Sequence, residues 1–166
     1  SINLHGITTE WPDIEKDRLV LINTNCKITE GVHSIAHIPQ IHPMSKGNQN
    51  LFIEDANGQL AHDDFRHELA LYTDGLIFTG CAHSGLENIL AACPWPVHTV
   101  VGGFHLLDGM ESVEELATLA QRLIAHYPDT QFYTSHCTGD NVFEVMKGVM
   151  GEKLQSFSAG TIITEK

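Results

Sequence analysis

The spacing of apolar residues changes near the middle of the chain. Up to about residue 75, short apolar stretches alternate with clusters of proline, glycine, asparagine and aspartate, a pattern typical of strands joined by turns. Beyond that point, short apolar runs alternate with longer segments in which apolar residues recur at every third or fourth position. The change predicts an α/β fold with a mainly β front half, a back half of alternating strands and helices, and a mixed sheet with helices on one face.

The front half carries the weaker signals. Residues 1–18 have no clear periodicity and include a proline and a run of charged residues. The dipeptide Asp74-Gly75 indicates a tight hairpin, because these residues accept the positive φ values of a two-residue turn. The other predicted features are a short apolar stretch at 19–22, one or two strands within 28–38, a loop at 39–50, a strand at 51–54, a turn at 55–58 and a strand at 68–73.

The back half carries stronger signals. In residues 111–127 the apolar positions recur at spacings of three and four, which predicts an amphipathic helix. Ser112 and Glu115 form the Ser-x-x-Glu pattern of a capping box at its start, and Ser84 with Glu87 repeats that pattern ahead of another helix. The predicted strands are 76–79, 97–101, 131–134, 155–158 and 160–164, and the predicted helices are 84–92, 111–127 and 140–150.

Composition narrows the class of protein. With 166 residues the chain is long enough for one domain with a substantial core. It holds 9 basic and 21 acidic residues, a net charge of −12, which argues against binding to a nucleic-acid backbone. No apolar run approaches the roughly 20 residues of a membrane span, and no secretory signal is visible. The four cysteines show neither metal-ligand nor disulfide spacing, so we expect reduced thiols in a cytoplasmic protein.

Histidine recurs at the ends of three predicted strands. A glycine turn containing His83 follows the strand at 76–79, His105 follows the strand at 97–101, and His136 follows the strand at 131–134. Loops at strand ends are held by a rigid scaffold, and neutral imidazole is a good ligand for zinc, iron or manganese. The common placement of the three imidazoles therefore predicts a divalent metal site.

Each of these histidines also has a structural alternative. His83 could cap the following helix or form hydrogen bonds within its turn, His105 could be a core histidine with a satisfied ring, and His136 could be structural. Cys81 and Cys137 lie within two residues of candidate ligands, and for these thiols we favour packing over metal ligation. Spacing alone does not separate the alternatives.

The three turns together resemble motifs of the metallo-β-lactamase superfamily. The resemblance is strongest to the branch of metal-dependent hydrolases that contains the dihydropterin–ribofuranosylaminobenzene phosphate synthase-like proteins, and it runs from about residue 28 to the C terminus. The acidic sequence His62-Asp63-Asp64-Phe65 ahead of the strand at 68–73 is also similar to that branch. The motifs are Gly80-Cys81-Ala82-His83-Ser84-Gly85 followed by Asn88-Ile89-Leu90, then Gly102-Gly103-Phe104-His105-Leu106, and finally His136-Cys137-Thr138-Gly139.

The resemblance implies the C-terminal half of a metallo-β-lactamase-type αββα sandwich, so that residues 1–166 form a single but partial domain. It implies a site most often occupied by zinc, with His83 and His136 as ligands. His105 stands where many relatives carry a bridging aspartate, which leaves metal ligation, substrate contact and proton donation open. Metal-bound hydroxide would then attack a small ester or phosphoester-like molecule. The resemblance assigns no further catalytic residue.

One departure from the family is large. The defining His-x-His-x-Asp-His motif is absent, and the nearest histidines, His33, His37 and His42, lack its spacing and its aspartate. The resemblance therefore implies that this chain is inactive alone. It also implies an exposed sheet face that the N-terminal half of the same fold, or a second copy of the chain, would cover.

Two other functions compete with a metal-dependent hydrolase. The first is a non-catalytic metal-binding or protein-interaction remnant of the same fold. The second is a small doubly wound nucleotide-binding protein, suggested by the strand–helix alternation. No GxGxxG or GxxxxGK loop accompanies that alternation, which counts against the second alternative.

Overall fold

The computed structural model describes residues 20–54, 57–106 and 110–164, and of His136 it describes the backbone alone. The segment 1–18 and part of the turn predicted at 55–58 lie outside the described residues. No helix within the described ranges is long and apolar enough to cross a membrane. The strands are β1 (Lys27–Thr29), β2 (Val32–Ile35), β3 (Phe52–Glu54), β4 (Leu60–His62), β5 (Ala70–Thr73), β6 (Leu76–Phe78), β7 (Thr99–Val101), β8 (Gln131–Thr134) and β9 (Leu154–Ser156); the helices are α1 (Leu86–Ala92), α2 (Val113–His126) and α3 (Asp140–Met150), with 3₁₀ helices at Lys46–Asn50, His136–Thr138 and Gly151–Lys153.

Seven of these strands form one mixed sheet, in the order β1-β2-β5-β6-β7-β8-β9. Neighbouring strands are antiparallel from β1 to β6 and parallel from β6 to β9. β3 and β4 form a separate antiparallel hairpin. The strand direction therefore changes at β6, where the apolar pattern of the sequence also changes. The mixed α/β fold is confirmed, whereas its assignment to half of a metallo-β-lactamase-type sandwich is not.

The main core lies between the helices and one face of the sheet. Ile77, Val100, Phe132 and Leu154 are in register on four neighbouring strands and fully buried. Because side chains alternate between the two faces of a strand, these four lie on the same face. They belong to one hydrophobic cluster with residues of all three helices, so the helices cover that face. The helical members are Leu86, Ile89 and Leu90 of α1, Leu116, Ala120 and Leu123 of α2, and Val142, Met146 and Met150 of α3.

The opposite face of the sheet carries a second row of residues, which we call the outer row: Leu71, Phe78, Val101 and Tyr133. These residues are partners in register on β5, β6, β7 and β8. Val101 is buried, but Leu71 and Phe78 remain 40% and 49% exposed. Parallel strands are normally covered on both faces, so exposed apolar side chains are unusual here.

The two predicted capping boxes have different outcomes. The box of Ser112 and Glu115 is confirmed, with both of its hydrogen bonds present at the start of α2. The box predicted for Ser84 and Glu87 is wrong, because Gly85 is the N-cap of α1 and no side chain caps the helix. Both residues are bound by distant partners instead, which a local pattern does not reveal.

Strand predictions succeeded where a neighbouring strand exists. The Asp74-Gly75 hairpin is confirmed, and both residues have the positive φ values (44° and 86°) of a type I′ turn. The strand predicted at 160–164 is wrong, since the sheet of the described residues ends at β9 and offers this segment no partner. β4 was not predicted, and it forms because β3 pairs with it.

Candidate functional site

Three turns meet at the carboxyl ends of β6, β7 and β8, which are neighbours in the sheet. The backbone N–H of Gly103, after β7, donates to the carbonyl of Gly80, after β6, at 2.8 Å. The N–H of Leu106 donates to the carbonyl of Cys137, after β8, at 2.9 Å. Backbone hydrogen bonds therefore join the three turns that contain the sequence-predicted histidines.

The carboxylate of Glu68 fixes the turn that holds His83. Its Oε1 accepts from the backbone N–H of His83 at 2.7 Å, and its Oε2 accepts from the N–H of Ser84 at 2.6 Å. Hydrogen bonds from backbone N–H groups to a carboxylate are short and strong. The arrangement therefore holds the backbone of His83 and Ser84 in place, immediately before the N-cap Gly85 of α1.

Asn48 sets the orientation and the tautomer of the His83 ring. Its Nδ2 donates to the His83 carbonyl at 2.7 Å, and its Oδ1 lies 3.3 Å from His83 Nδ1. Because an amide oxygen only accepts, Nδ1 carries the proton in this arrangement and Nε2 keeps its lone pair. In the neutral His83 ring, Nε2 is therefore the nitrogen that can accept a proton.

Phe65 and His105 enclose the His83 ring. The Phe65 ring stacks on it with a centroid distance of 4.7 Å and an interplanar angle of 5°, and the His105 ring lies at 3.9 Å, tilted by 46°. Phe65, Ala82 and His105 all have positive φ values, of 53°, 62° and 48°. Such conformations cost on the order of 1–3 kcal/mol each outside glycine and concentrate at functional sites. We therefore take His83, His105 and the residues around them, the imidazole cluster, as the candidate site.

Burial lowers the pKa of His83 from its ordinary value of 6.5, and the neighbouring His105 lowers it further. The carboxylates of Glu68 and Asp63 act in the opposite direction, and His67 adds a smaller decrease. Because the lowering effects dominate, His83 is neutral at pH 7. This protonation state agrees with the tautomer that Asn48 selects.

Glycine is required where the turns approach each other most closely. At Gly102, where φ is 154°, a Cβ atom would lie 2.0 Å from Thr79 Oγ1, and at Gly103 it would lie 2.3 Å from Cys137 Sγ.

Burial raises the pKa of the Cys137 thiol to about 11. Cys137 is therefore a protonated packing group at neutral pH, since only the thiolate is a good nucleophile or ligand.

The described residues give no support to the predicted metal site. Among them, no group of three or more His, Cys, Asp or Glu side chains is placed so that it could hold a metal ion. The structure brings His83 and His105 together, but His136 is described only by its backbone, in the 3₁₀ turn after β8. The ligand set His83, His105 and His136 and the choice of zinc therefore stay predictions.

Four residues shape the site although no role was predicted for them: Asn48, Phe65, Glu68 and Asn88. Phe65 and Asn88 stand within the motifs that carry the family resemblance, but without an assigned role. Asn88 is fully buried in α1 and ties the helix to the segment that leads to Asn48. The signal that could have identified Asn88 in the sequence is its polar side chain within the apolar pattern of the helix predicted at 84–92. Its Oδ1 accepts from the N–H groups of Ile41 and His42, and its Nδ2 donates to the carbonyls of His42 and Ser84.

Comparison with known proteins identifies a distant relative that is a synthase. No family model matches the chain. Over 170 aligned residues the chain is 28% identical to 7,8-dihydropterin-6-methyl-4-(beta-D-ribofuranosyl)-aminobenzene-5'-phosphate synthase of Methanocaldococcus jannaschii, an alignment covering 91% of this chain and 55% of the synthase. An uncharacterized protein of the same archaeon is 26% identical over 87 residues, 50% of this chain and 32% of that protein. The chain thus spans about half, or less, of the length of these relatives.

These comparisons correct the functional predictions made from the sequence. The assignment to the metallo-β-lactamase hydrolases was wrong, because the comparison supports distant homology to a synthase instead. Attack of metal-bound hydroxide on an ester or phosphoester was wrong for the same reason, and no observation supports a non-catalytic remnant. The description of the chain as a hydrolase is corrected on the same comparison, and its metal-binding part finds no supporting cluster among the described residues.

Proposed function

We propose that this chain is part of a biosynthetic synthase that makes a dihydropterin compound. The observation that carries the proposal is its 28% identity to the archaeal synthase over 91% of the chain. The name of that relative describes a product in which a 7,8-dihydropterin is connected through a 6-methyl carbon to an aminobenzene that bears a ribofuranosyl 5′-phosphate. The proposed reaction therefore forms a bond between the amine nitrogen of the aminobenzene and the 6-methyl carbon of the dihydropterin. The bond from that carbon to its leaving group breaks, the leaving group departs with the bonding electron pair, and the amine loses one proton.

The imidazole cluster offers the acid–base chemistry that such a reaction needs. An amino nitrogen that forms a bond to carbon gives up a proton, and a neutral imidazole is suited to accept it near pH 7. His83 has a lowered pKa, and its Nδ1 is directed to Asn48, so its Nε2 is the candidate acceptor. Phe65 packs on one side of the ring and His105 lies on it at an angle, which restricts rotation of the imidazole.

We also propose that a further polypeptide completes the protein by packing on the outer row of the sheet. Somewhat under half of the archaeal synthase has no counterpart in this chain. Phe78 is 49% exposed although its strand pairs in parallel with β7, and parallel strands are normally covered on both faces. Its antiparallel neighbour Leu71 extends the exposed apolar surface. The preferred occupant is polypeptide equivalent to the missing part of the synthase, which would make the described sheet one half of a two-sheet sandwich.

Product formation tests the synthase proposal. The protein, completed by its remaining polypeptide, is supplied with ribofuranosylaminobenzene 5′-phosphate and a 7,8-dihydropterin that carries a leaving group on its 6-methyl carbon. The joined product is detected by mass spectrometry. We expect His83→Gln to lower the rate about 100-fold or more, because glutamine cannot accept the proton.

The control for this experiment is His126→Gln, at the exposed end of α2, which we expect to leave the rate unchanged. Circular dichroism confirms that both variants are folded. If the unsubstituted protein forms no joined product under these conditions, the synthase proposal is wrong.

A further inference from the structure

A cavity of about 300 Å³ lies between the start of α1, the first turns of α2 and the segment 43–46. Its volume is at the lower end of the range for small-molecule sites, which commonly have apolar walls and a few polar groups. The apolar lining includes Leu86, Phe104, Leu106, Leu116 and Leu119, and the acidic lining includes Glu87, Glu111, Glu114 and Glu115.

The cavity is connected to the imidazole cluster by two segments of chain. Phe104 and Leu106 line the cavity and flank His105 in the sequence. In the second segment, Ser45 Oγ and the backbone N–H of Lys46 donate to Glu111 Oε1 at 3.1 and 2.7 Å. Two residues further along, Asn48 holds His83. The cavity lining therefore includes both sequence neighbours of His105 and residues two and three positions before Asn48.

The charges around the cavity do not suit an anionic ligand. Both basic side chains of the lining already bind carboxylates. Arg122 donates to Glu87 through two hydrogen bonds, of 2.8 and 2.7 Å, and Lys46 binds Glu115 at 2.7 Å. A phosphate group would therefore compete with existing ion pairs, whereas a neutral ligand would leave them intact.

Glu111 is the carboxylate best placed to bind a ligand. Both hydrogen bonds that it accepts within the described part of the chain end on Oε1. These two bonds fix the half-buried side chain, and Oε2 keeps its capacity as an acceptor. An oriented carboxylate oxygen beside an apolar wall suits a flat, neutral ring that has an N–H donor on one edge.

We propose that this cavity binds the dihydropterin ring, with Glu111 Oε2 accepting a hydrogen bond from the 2-amino group. The inference rests on the proposed function, because the name of the archaeal relative supplies the dihydropterin. The bicyclic ring is flat and neutral and presents its amino group at one edge, while Leu119 offers an apolar contact for its face. The phosphate-bearing substrate would then lie outside the cavity, away from the acidic lining.

Calorimetric titration with 6-methyl-7,8-dihydropterin tests the site. We expect Glu111→Gln to weaken binding at least tenfold through loss of a charged acceptor, and Leu119→Trp to weaken it at least tenfold by filling the cavity. The matched control is Glu144→Gln on the exposed side of α3, which should bind like the unsubstituted protein. The dihydrolumazine analogue, which has a carbonyl oxygen in place of the 2-amino group, should bind at least tenfold more weakly, and Glu111→Gln should abolish this preference.

The outcomes separate this inference from the synthase proposal. If Glu111→Gln and Leu119→Trp bind the dihydropterin as tightly as the unsubstituted protein, the ring binds elsewhere and the inference is wrong, whether or not product forms. Absence of dihydropterin binding in a protein that makes product also overturns it. If Leu119→Trp does not fold, Glu111→Gln and the analogue still decide the question. Failure of the synthase proposal is seen separately, as absence of product from the unsubstituted protein.

Discussion

At the scale of single residues, three neighbours control three different properties of His83. Glu68 binds its backbone N–H, Asn48 selects its tautomer, and Phe65 covers one face of its ring. The contacts come from two segments, because the Glu68 N–H donates to the Phe65 carbonyl at 2.9 Å within one turn, whereas Asn48 belongs to another segment. The three side chains nevertheless contact different parts of His83, so a substitution at each affects a different property. Without the Asn48 amide, either nitrogen of the His83 ring can carry the proton. Without the Glu68 carboxylate, the turn loses the two hydrogen bonds that fix its backbone.

The lowered pKa of His83 predicts a pH-dependent stability. The unfolded chain protonates this imidazole at its ordinary value of 6.5, and the folded chain does so only at lower pH. Between these two values the unfolded state binds more protons, so the free energy of unfolding decreases as pH falls. We expect urea unfolding of chelator-treated protein, measured between about pH 5 and pH 7.5, to show this decrease. His83→Gln should reduce the slope, and a variant with an unchanged slope would contradict the assignment.

Asn88 is expected to be the polar side chain with the largest effect on stability near the site. Asn88→Ala removes four hydrogen bonds and leaves buried backbone groups without these partners, so we expect a loss of about 2–4 kcal/mol in the free energy of unfolding. Asn141→Ala, at an exposed position of α3, is the matched control and should change it by less than about 0.5 kcal/mol. Equal effects of the two substitutions in urea unfolding would disprove the structural role of Asn88.

At the scale of elements, the site depends on turns that exclude most side chains. Gly102→Ala places a methyl group 2.0 Å from Thr79 Oγ1 at a φ of 154°, so we expect a loss of at least about 1–3 kcal/mol in stability. Gly148→Ala, in α3, meets no atom within 4 Å and should raise stability by about 0.5–1 kcal/mol. The midpoint temperature of thermal unfolding should therefore fall for Gly102→Ala and rise for Gly148→Ala. A shift of both midpoints in the same direction would contradict the packing described for the turns.

Elements with local periodicity could be predicted from the sequence, and contacts between distant segments could not. The predicted helix at 111–127 matches α2 because its apolar spacing lies within the helix itself. The turns of His83 and His105 could be located because glycines and strand ends mark them. The roles of Asn48 and Glu68 depend on bonds to His83 from positions 35 and 15 residues away, which no local pattern encodes.

At the scale of the whole molecule, the sheet has helices on one face and a partly exposed apolar row on the other. Antiparallel sheets often leave one face open to solvent, whereas parallel strands are normally covered on both faces. Because the strands from β6 to β9 are parallel, an open face is unusual for this part of the sheet. The outer row is therefore the surface at which this chain is expected to associate with further polypeptide.

The outer row predicts the behaviour of the isolated chain in solution. We expect the 166-residue chain to self-associate, because Leu71 and Phe78 are exposed. Leu71→Ser combined with Phe78→Ser should lower the mass measured by light scattering after size exclusion. Val113→Ser, which removes a 60% exposed apolar side chain from α2, is the control and should not lower it. Equal masses for all three proteins would show that the outer row does not drive association.

The change of strand direction at β6 also determines when the site is completed during folding. β5 and β6 are joined by the two-residue turn Asp74-Gly75, so this pair closes with little loss of chain entropy. The pairs β6–β7 and β7–β8 are parallel, and each must wait until a long crossover has closed. The turns of His83 and His105 belong to strands on opposite sides of such a crossover. We therefore expect the imidazoles to meet only late in folding, and we expect a nascent chain that has formed only its hairpins to lack the site.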